Sequence, residues 1–371
     1  MSPLPLRSEG VVATVSALDG AHVVVTGGAG FLGSALCEEL LSAGAFVTCV
    51  DDESTGLLAN LARVRSDPRL RVLTADVAEL DAYRSRVERD GVDVVMHLAA
   101  IASPVSYLRM PLHTLRGGST GTLRALDLAA DHGARFVLAS TSEVYGDAEV
   151  SPQPEAYWGR VNPIGPRAVY DESKRFAEAA AFGYRRAREL DVGVVRIFNT
   201  YGPRMRIDDG RVIPTFLAQA FRGEPLTVQG DGRQTRSFCY VDDTVRALVV
   251  MALSDEPGPV NVGNPHEITM LELADAVLSV TGSSSPVRHL PLPQDDPVRR
   301  CPDVTRAREV LGWAPRVGLD EGLRQTAAWV RSRLDGQVTE ARPVPSMPAP
   351  RRPTTAGQPV RRLLPSPPPD V

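Results

Sequence analysis

Residues 23–33, VVVTGGAGFLG, join a run of β-branched residues directly to a glycine-rich turn and a further apolar segment. Between a strand and a helix, Gly27 allows the tight turn, Gly30 lets a pyrophosphate approach the backbone, and Gly33 permits close helix packing. The pyrophosphate then lies at the amino terminus of the helix, where unpaired N–H groups attract anions. Three glycines alone are a weak signal, because an ordinary turn can contain them.

An acidic residue follows at a suitable distance. Asp51 ends the apolar run FVTCV and comes 18 residues after Gly33 (51 − 33). A carboxylate there accepts hydrogen bonds from the adenosine ribose and repels a 2′-phosphate, so NAD is favoured over NADP. The alternative is a strand-end acid that caps the loop DDESTG. Asp76 is a second candidate, for adenine, although a solvated loop acid explains it nearly as well. Neighbouring positions complete the predicted cofactor set: Phe31, Leu32, Val77 and Leu98.

Short apolar runs alternate with helical stretches over the first 200 residues. The runs are HVVVT at 22–26, FVTCV at 46–50, RVLTA at 71–75, DVVMHL at 93–98, RFVLAS at 135–140 and VGVVRIF at 192–198. Continuous apolar strands separated by amphipathic helices are typical of a parallel sheet that is covered on both faces. The pattern predicts an α/β fold with a doubly wound parallel (Rossmann) sheet.

A looser pattern follows residue 200, and it predicts a smaller mixed α/β substrate domain over the carboxyl edge of the sheet. Helices are expected near 213–222, 242–253, 269–281, 303–311 and 320–334. We predict an N-terminal extension at 1–20, a cofactor domain at 21–200 to which segments near 237–262 return, and a mainly substrate-binding domain at 201–335. Residues 336–371 hold ten of the 31 prolines and no aromatic residue, which predicts a disordered tail.

Composition excludes several classes of protein. The formal net charge of −4 lacks the basic excess that nucleic acid requires. No run reaches the roughly 18 consecutive apolar residues of a membrane span, and the first 20 residues lack the features of a signal peptide. The four cysteines have no short paired spacing, which argues against a zinc site or a disulfide framework. We therefore expect a cytoplasmic protein with free thiols and no metal.

Two polar motifs predict catalysis. In YDESK, Tyr170 and Lys174 lie four residues apart on one helix face. A nearby ammonium stabilises a tyrosinate and lowers the phenol pKa toward the range of a general base. In STSEVYG at 140–146, Thr141, Ser142 and Glu143 end an apolar strand. These three either act on a substrate or only cap the strand, and the Tyr–Lys spacing by itself is common in unrelated helices.

Taken together, the motifs resemble the extended short-chain dehydrogenase/reductases, which act on nucleotide sugars through bound NAD. The resemblance covers residues 20–334 and is carried by TGGAGFLG, STSEVYG, YDESK, RIFNTYGPR, GDGRQTRSFCYVDD and VNVGNP. It is greatest to the UDP-glucuronate decarboxylases of that family, in VNPIGPRAVYDESKR, QTRSFCYVDD and QDDPVRRCPD. The resemblance implies a carboxy-lyase that oxidises sugar carbon 4 transiently, releases carbon dioxide and re-reduces the product to UDP-xylose.

The resemblance also implies roles for particular residues. Tyr170 is the base at the carbon 4 hydroxyl, Thr141 binds the same oxygen, and Ser142 stands where the 4,6-dehydratases have an acid. Glu143 argues against simple 4-epimerases, and Arg300 is implicated in decarboxylation, with a pure phosphate ligand as the alternative. The UDP-sugar contacts implied in this way are Arg116, Asn199, Arg204, Arg211, Arg236 and Arg300.

Some positions depart from the family. Relatives usually have an asparagine at Gly118 and a lysine near Arg116, and the Gly117–Gly118 pair should loosen the start of its helix. The family also implies a homodimer in which helices at 112–132 and 168–190 form a four-helix bundle. Two other functions stay open. One is a different nucleotide-sugar 4-epimerase or 4,6-dehydratase, and the other is a noncatalytic NAD-binding regulator whose tail recruits a partner.

Overall fold

The structure is a computed structural model that describes residues 16–87, 91–292 and 299–337. The predicted extension at 1–20 and the predicted tail at 336–371 lie largely outside these residues. The strands are β1 His22–Thr26, β2 Phe46–Asp51, β3 Leu70–Thr74, β4 Val94–His97, β5 Arg135–Thr141, β6 Val192–Ile197, β7 Thr200–Tyr201, β8 Leu226–Gln229, β9 Thr235–Ser237, β10 Cys239–Tyr240, β11 Val260–Val262, β12 Glu267–Thr269, β13 Val287–Leu290 and β14 Arg299–Arg300.

Helices connect and cover the strands. They are α1 Phe31–Ser42, α2 Leu80–Val87, α3 Pro104–Arg109, α4 Pro111–Arg116, α5 Thr122–His132, α6 Ala168–Arg188, α7 Val212–Arg222, α8 Val241–Ala252, α9 Met270–Thr281, α10 Thr305–Leu311 and α11 Leu319–Gln337. No helix of the described ranges is both long enough and apolar enough to cross a membrane.

A seven-stranded sheet forms the centre of the molecule, in the order β11-β6-β5-β4-β1-β2-β3. Every pairing in it is parallel. All seven residues of β5 and all five of β1 are buried, as expected for strands with helices on both faces. The predicted α/β fold with a parallel Rossmann sheet is confirmed.

The core has one apolar cluster on each face of the sheet. On one face, Leu36 of α1 and Leu248 of α8 belong to a cluster that continues into the later helices α7, α9 and α11. On the other face, Leu126 of α5 packs in a cluster with Ala177 of α6. The later part of the chain adds the small sheets β12-β9-β14, β13-β8 and β10-β7. The domain boundaries given above stay a prediction.

The helix expected at 112–132 is interrupted by one wide turn. A π-helical turn at Gly117–Gly121 joins α4 to α5 without breaking the helical path. Gly118 is not a loose point: a Cβ atom there would lie 2.5 Å from the Cβ of Ser173 on α6. Gly117 has helical backbone angles, and a Cβ atom on it would meet nothing within 4 Å. The missing side chain at Gly118 therefore permits the close approach of this helix to α6, which carries the YDESK motif.

The two glycines provide a matched test of this packing. Gly118→Ala should lower the free energy of unfolding by about 1–3 kcal/mol, because the added methyl overfills the contact with Ser173. Gly117→Ala should leave stability unchanged or raise it by about 0.5–1 kcal/mol, because alanine favours the helix and has room. Denaturant unfolding without ligand measures both. Equal effects of the two substitutions would contradict the close approach at Gly118.

Candidate active site

A cavity of about 450 Å³ lies at the carboxyl ends of the central strands. Its walls include the last residues of β2 and β5, Asp51 and Thr141, and the side chains of Arg236 and Arg300 from β9 and β14. Ligands of open α/β sheets bind at this edge. The cavity therefore joins the predicted cofactor end of the fold to arginines of the later part of the chain.

The glycine-rich turn packs tightly against the backbone of the chain itself. A Cβ atom on Gly33 would lie 2.0 Å from the carbonyl oxygen of Gly27, and one on Gly27 would lie 2.8 Å from the backbone nitrogen of Ala99. Gly30 is the residue before α1 and has no side chain that could cap the helix. The first N–H groups of the helix therefore face the cavity region without a side-chain acceptor. A bare, uncapped helix terminus of this kind fits the pyrophosphate of NAD.

The two predicted adenosine acids are already hydrogen-bonded. The Asp51 carboxylate accepts from the N–H groups of Ala29, at 2.9 Å, and Glu53, at 2.8 Å. Burial raises the pKa of this carboxyl. Asp76 accepts from the N–H of Ala78 at 2.8 Å. Both acids line the cavity, as do Phe31, Leu32, Val77 and Leu98, so the predicted cofactor residues lie together.

A histidine lies beside this cofactor end. The Nε2 atom of His113 is 2.9 Å from a carboxylate oxygen of Asp52, which ties α4 to the loop after β2. Asp52, Asp76 and His113 place their ligand atoms within 4.8 Å of one another, a spacing that suits a metal. Acidic groups are commonly this close without a metal, and the bond between His113 and Asp52 accounts for the spacing.

Tyr170 and Lys174 project from α6 toward the end of β5, and both are buried. The Lys174 ammonium donates to the carbonyl of Ala139 at 2.8 Å, and burial lowers its pKa to about 8. Burial and the negative charge of Glu143 raise the pKa of Tyr170, against a hydrogen bond with Thr141 that lowers it. The expectation that Lys174 brings the phenol pKa down is wrong for the chain alone, because burial dominates.

The stretch Thr141–Glu143 at the end of β5 caps a turn and also lines the cavity. Thr141 caps the short turn Ser142–Tyr145, accepting from the N–H of Glu143 at 3.3 Å. Its side chain also bonds Tyr170, and Ser142 is buried in the cavity wall. The capping role and the catalytic role are therefore compatible.

Glu143 is the centre of a buried ion cluster. Arg300 donates to its two carboxylate oxygens at 2.7 and 2.8 Å, and Arg167 donates at 2.8 Å. Burial acts to raise the pKa of Glu143, but the charges and hydrogen bonds of Arg300 and Arg167 outweigh it and hold the pKa at about 2. The cluster brings two guanidinium groups to the same wall of the cavity as Tyr170.

Two residues of this wall were missed by the sequence analysis. Arg167 precedes Tyr170 by one helical turn, a spacing that could have indicated it. The ring of Tyr107, on α3, stacks parallel to that of Tyr170 with centroids 5.4 Å apart. No local sequence pattern predicts this contact, because α3 and α6 are distant in sequence.

The predicted substrate residues divide into two groups. Arg236 and Arg300 are register partners on adjacent strands, and both line the cavity. Asn199, Arg204 and Arg211 also line it. Arg116 does not: half-exposed on α4, it pairs with Glu79 at 2.7 Å. The geometry gives no support to its predicted substrate contact.

Two of these cavity arginines already have acidic partners in the chain. Arg204 pairs with Glu38 of α1 at 2.5 Å, and Arg211 pairs with Asp209 at 2.5 Å. A role of Arg204 or Arg211 in holding UDP stays a prediction.

Glu143→Gln tests the ion cluster. Removing one partner of a buried pair leaves two guanidinium groups close together, so the free energy of unfolding should fall by about 3–5 kcal/mol at pH 7. A carboxyl whose pKa is lowered by folding stabilises the fold at pH values above its pKa in the unfolded chain, near 4.5. It loses that contribution as the pH falls toward 2. The difference in the free energy of unfolding between wild type and variant should therefore become smaller only below about pH 4.5.

Denaturant unfolding at pH 7, 5 and 4 makes this measurement. Glu172→Gln is the control, because Glu172 faces Arg175 at 3.6 Å on the exposed side of α6, where a pair contributes little. If Glu143→Gln is as stable as Glu172→Gln, the result would contradict a stabilising role of the ion cluster.

A parallel Rossmann sheet, a bare glycine turn and a buried Tyr–Lys pair define a nucleotide-dependent dehydrogenase fold of the extended short-chain type. The chain belongs to the NAD dependent epimerase/dehydratase family, whose model matches residues 23–263. The cofactor is NAD.

Several curated relatives are similar over most of the chain. UDP-glucuronic acid decarboxylase 5 of Arabidopsis thaliana is 47% identical over 334 residues, 90% of this chain and 94% of that protein. UDP-glucuronic acid decarboxylase 1 of Danio rerio is 47% identical over 87% of this chain and 76% of that protein. Among solved structures, the dTDP-glucose 4,6-dehydratase DesIV of Streptomyces venezuelae, with NAD bound, is 31% identical with a TM-score of 0.76, covering 85% of this chain and 98% of that one.

Proposed function

We propose that the chain decarboxylates UDP-glucuronate to UDP-xylose. The observation that carries the proposal is a pair of arginines, Arg300 buried and Arg167 partly buried, on the cavity wall that also holds Thr141 and Tyr170. A site that oxidises a sugar carbon beside two guanidinium groups suits a sugar that bears a carboxylate. The relatives named above support the same substrate.

The residues divide the reaction between them. NAD held at the glycine turn and Asp51 would supply reversible hydride transfer at sugar carbon 4, so no net oxidation occurs. Tyr170 takes the proton of the carbon 4 hydroxyl, and Thr141 holds the same oxygen in place. Lys174 contributes the positive charge that favours the tyrosinate. The diphosphate is assigned to Arg236, which is buried on β9 and lines the cavity.

Loss of carbon dioxide follows from the oxidation. A ketone at carbon 4 makes the carboxylate part of a β-keto acid, and the electrons of the broken bond pass into the ketone as an enolate. Tyr170, now neutral, donates to the enolate oxygen. A proton then adds to carbon 5, so each turnover consumes one proton and releases one carbon dioxide.

Ser142 distinguishes this chemistry from that of close relatives. Elimination of water needs an acid to protonate the leaving hydroxyl, and serine is a poor acid. A neutral residue there also avoids a negative charge beside the sugar carboxylate. These points favour decarboxylation over 4,6-dehydration.

Incubating the protein with NAD and UDP-glucuronate tests the function. We expect carbon dioxide and a UDP-pentose in equal amounts, measured by gas capture and by mass spectrometry of the nucleotide sugar. Tyr170→Phe should reduce turnover at least 100-fold, because it removes the base. A UDP-hexuronate product, or full activity of this variant, would contradict the proposal.

We also propose a homodimer in the cytoplasm. Leu112 and Leu115 of α4 and Phe176 of α6 are exposed, which leaves an apolar face on the two neighbouring helices predicted to form the bundle. A second copy would cover this face.

Phe176→Glu tests the homodimer by charging its apolar face. We expect this variant to become a monomer, measured by light scattering of the eluted protein. Phe46→Glu, at the exposed start of β2, is the control and should stay dimeric. A wild-type protein that elutes as a monomer would contradict the proposal.

A further inference from the structure

A second buried carboxylate, Asp171, lies behind the site and has no part in the steps above. It follows Tyr170 on the first turn of α6, and its N–H donates to the carbonyl of Arg167 at 3.1 Å. Its side chain is 6% exposed. Within the described ranges, its Oδ1 atom is buried and accepts no hydrogen bond. An ionised carboxylate whose buried oxygen accepts no hydrogen bond costs free energy, and this cost is avoided when the group is protonated.

Asp171 lies beside the charged wall of the cavity, because Arg167, the residue before α6, and Tyr170, the preceding residue on its first turn, both line that cavity. Burial and the negative charge of Glu143 raise its pKa to about 7, while Arg167 and Arg300 act to lower it. The charged and titratable groups that face it are Glu143, Arg167, Arg300, Glu172, Tyr107 and Tyr170. Asp171 is thus the acid of this group that takes up a proton most easily at neutral pH.

The two positive charges of this wall are already matched by two carboxylates, so a further anion would have no unmatched cation there. Arg167 and Arg300 carry two positive charges, and Glu143 and Asp171 carry two negative charges when both are ionised. If the sugar carboxylate approaches these arginines, as the proposed function requires, three carboxylates face two guanidinium groups. Glu143 holds its charge through three hydrogen bonds, whereas Oδ1 of Asp171 has none. Protonation of Asp171 is then the least costly way to restore the balance.

We propose that Asp171 is a positioning residue for substrate specificity, which takes a proton from water when a sugar carboxylate binds and so keeps the arginine wall electrically balanced. This inference rests on the proposed function for the identity of the substrate. No covalent bond changes in the step: one proton leaves the solvent and one carboxylate becomes a carboxylic acid. Neutral sugars bring no third charge and draw no proton.

The proposal fixes the direction of a pH effect. An arriving anion raises the pKa of Asp171 above its value in the free chain, so binding and proton uptake help each other. Affinity for UDP-glucuronate should weaken up to tenfold for each pH unit above about 7, until the pH passes the pKa of the bound state. Affinity for UDP-xylose, which lacks the carboxylate, should stay constant.

Titration calorimetry with NAD present measures proton uptake directly. The Tyr170→Phe background stops turnover and removes the phenol as a competing acid. At pH 8, in two buffers with different heats of ionisation, UDP-glucuronate should draw about 0.5–1 proton per site more than UDP-xylose, whose diphosphate acts on Lys174 in the same way. Adding Asp171→Asn should abolish this excess uptake and flatten the pH dependence. Adding Glu172→Gln removes only the weaker of the two acidic neighbours, so the excess uptake should persist with its pH midpoint slightly lower.

Proton uptake that remains specific to UDP-glucuronate in the Asp171→Asn variant would overturn the inference. If that variant fails to fold, infrared difference spectra of the Tyr170→Phe protein decide instead. A carboxylic-acid band that forms with UDP-glucuronate but not with UDP-xylose supports the inference, and its absence overturns it. Release of carbon dioxide by wild type without binding-linked uptake contradicts only this inference, whereas no release of carbon dioxide contradicts the proposed function.

Discussion

The buried pairing of Glu143 with Arg300 and Arg167 connects three separate parts of the molecule. Glu143 belongs to the turn after β5, Arg167 precedes α6, and Arg300 lies on β14 in the later part of the chain. A broken buried pair is much more damaging than a missing surface pair, because the remaining charge cannot return to water. Together with the shared apolar cluster, the pairing ties the later part of the chain to the carboxyl edge of the sheet.

The same cluster sets the electrostatics of the chemistry. Burial of the site and the negative charge of Glu143 raise the pKa of Tyr170, so the chain alone keeps the phenol protonated. The tyrosinate that the proposed reaction requires is therefore not the resting form of the chain.

Sequence patterns predicted what depends on local order. Six of the strands of the sheet, the glycine turn and the Tyr–Lys helix follow from apolar runs and short spacings. The ion cluster does not, because Glu143 and Arg300 are separated by 157 positions and meet only through the folded second layer. Gly118 was interpreted as a weak point for the same reason: its partner, Ser173, lies on another helix. The pKa of Tyr170 was predicted in the wrong direction, because burial cannot be read from spacing.

The proposed reaction requires that the hydride taken from sugar carbon 4 return to the same carbon. UDP-glucuronate that carries deuterium at carbon 4 tests this requirement. Mass and NMR spectra of the product should show a UDP-pentose with the deuterium still at carbon 4 and no accumulation of reduced cofactor. Loss of the label to water, or its retention in a hexuronate, would contradict the account.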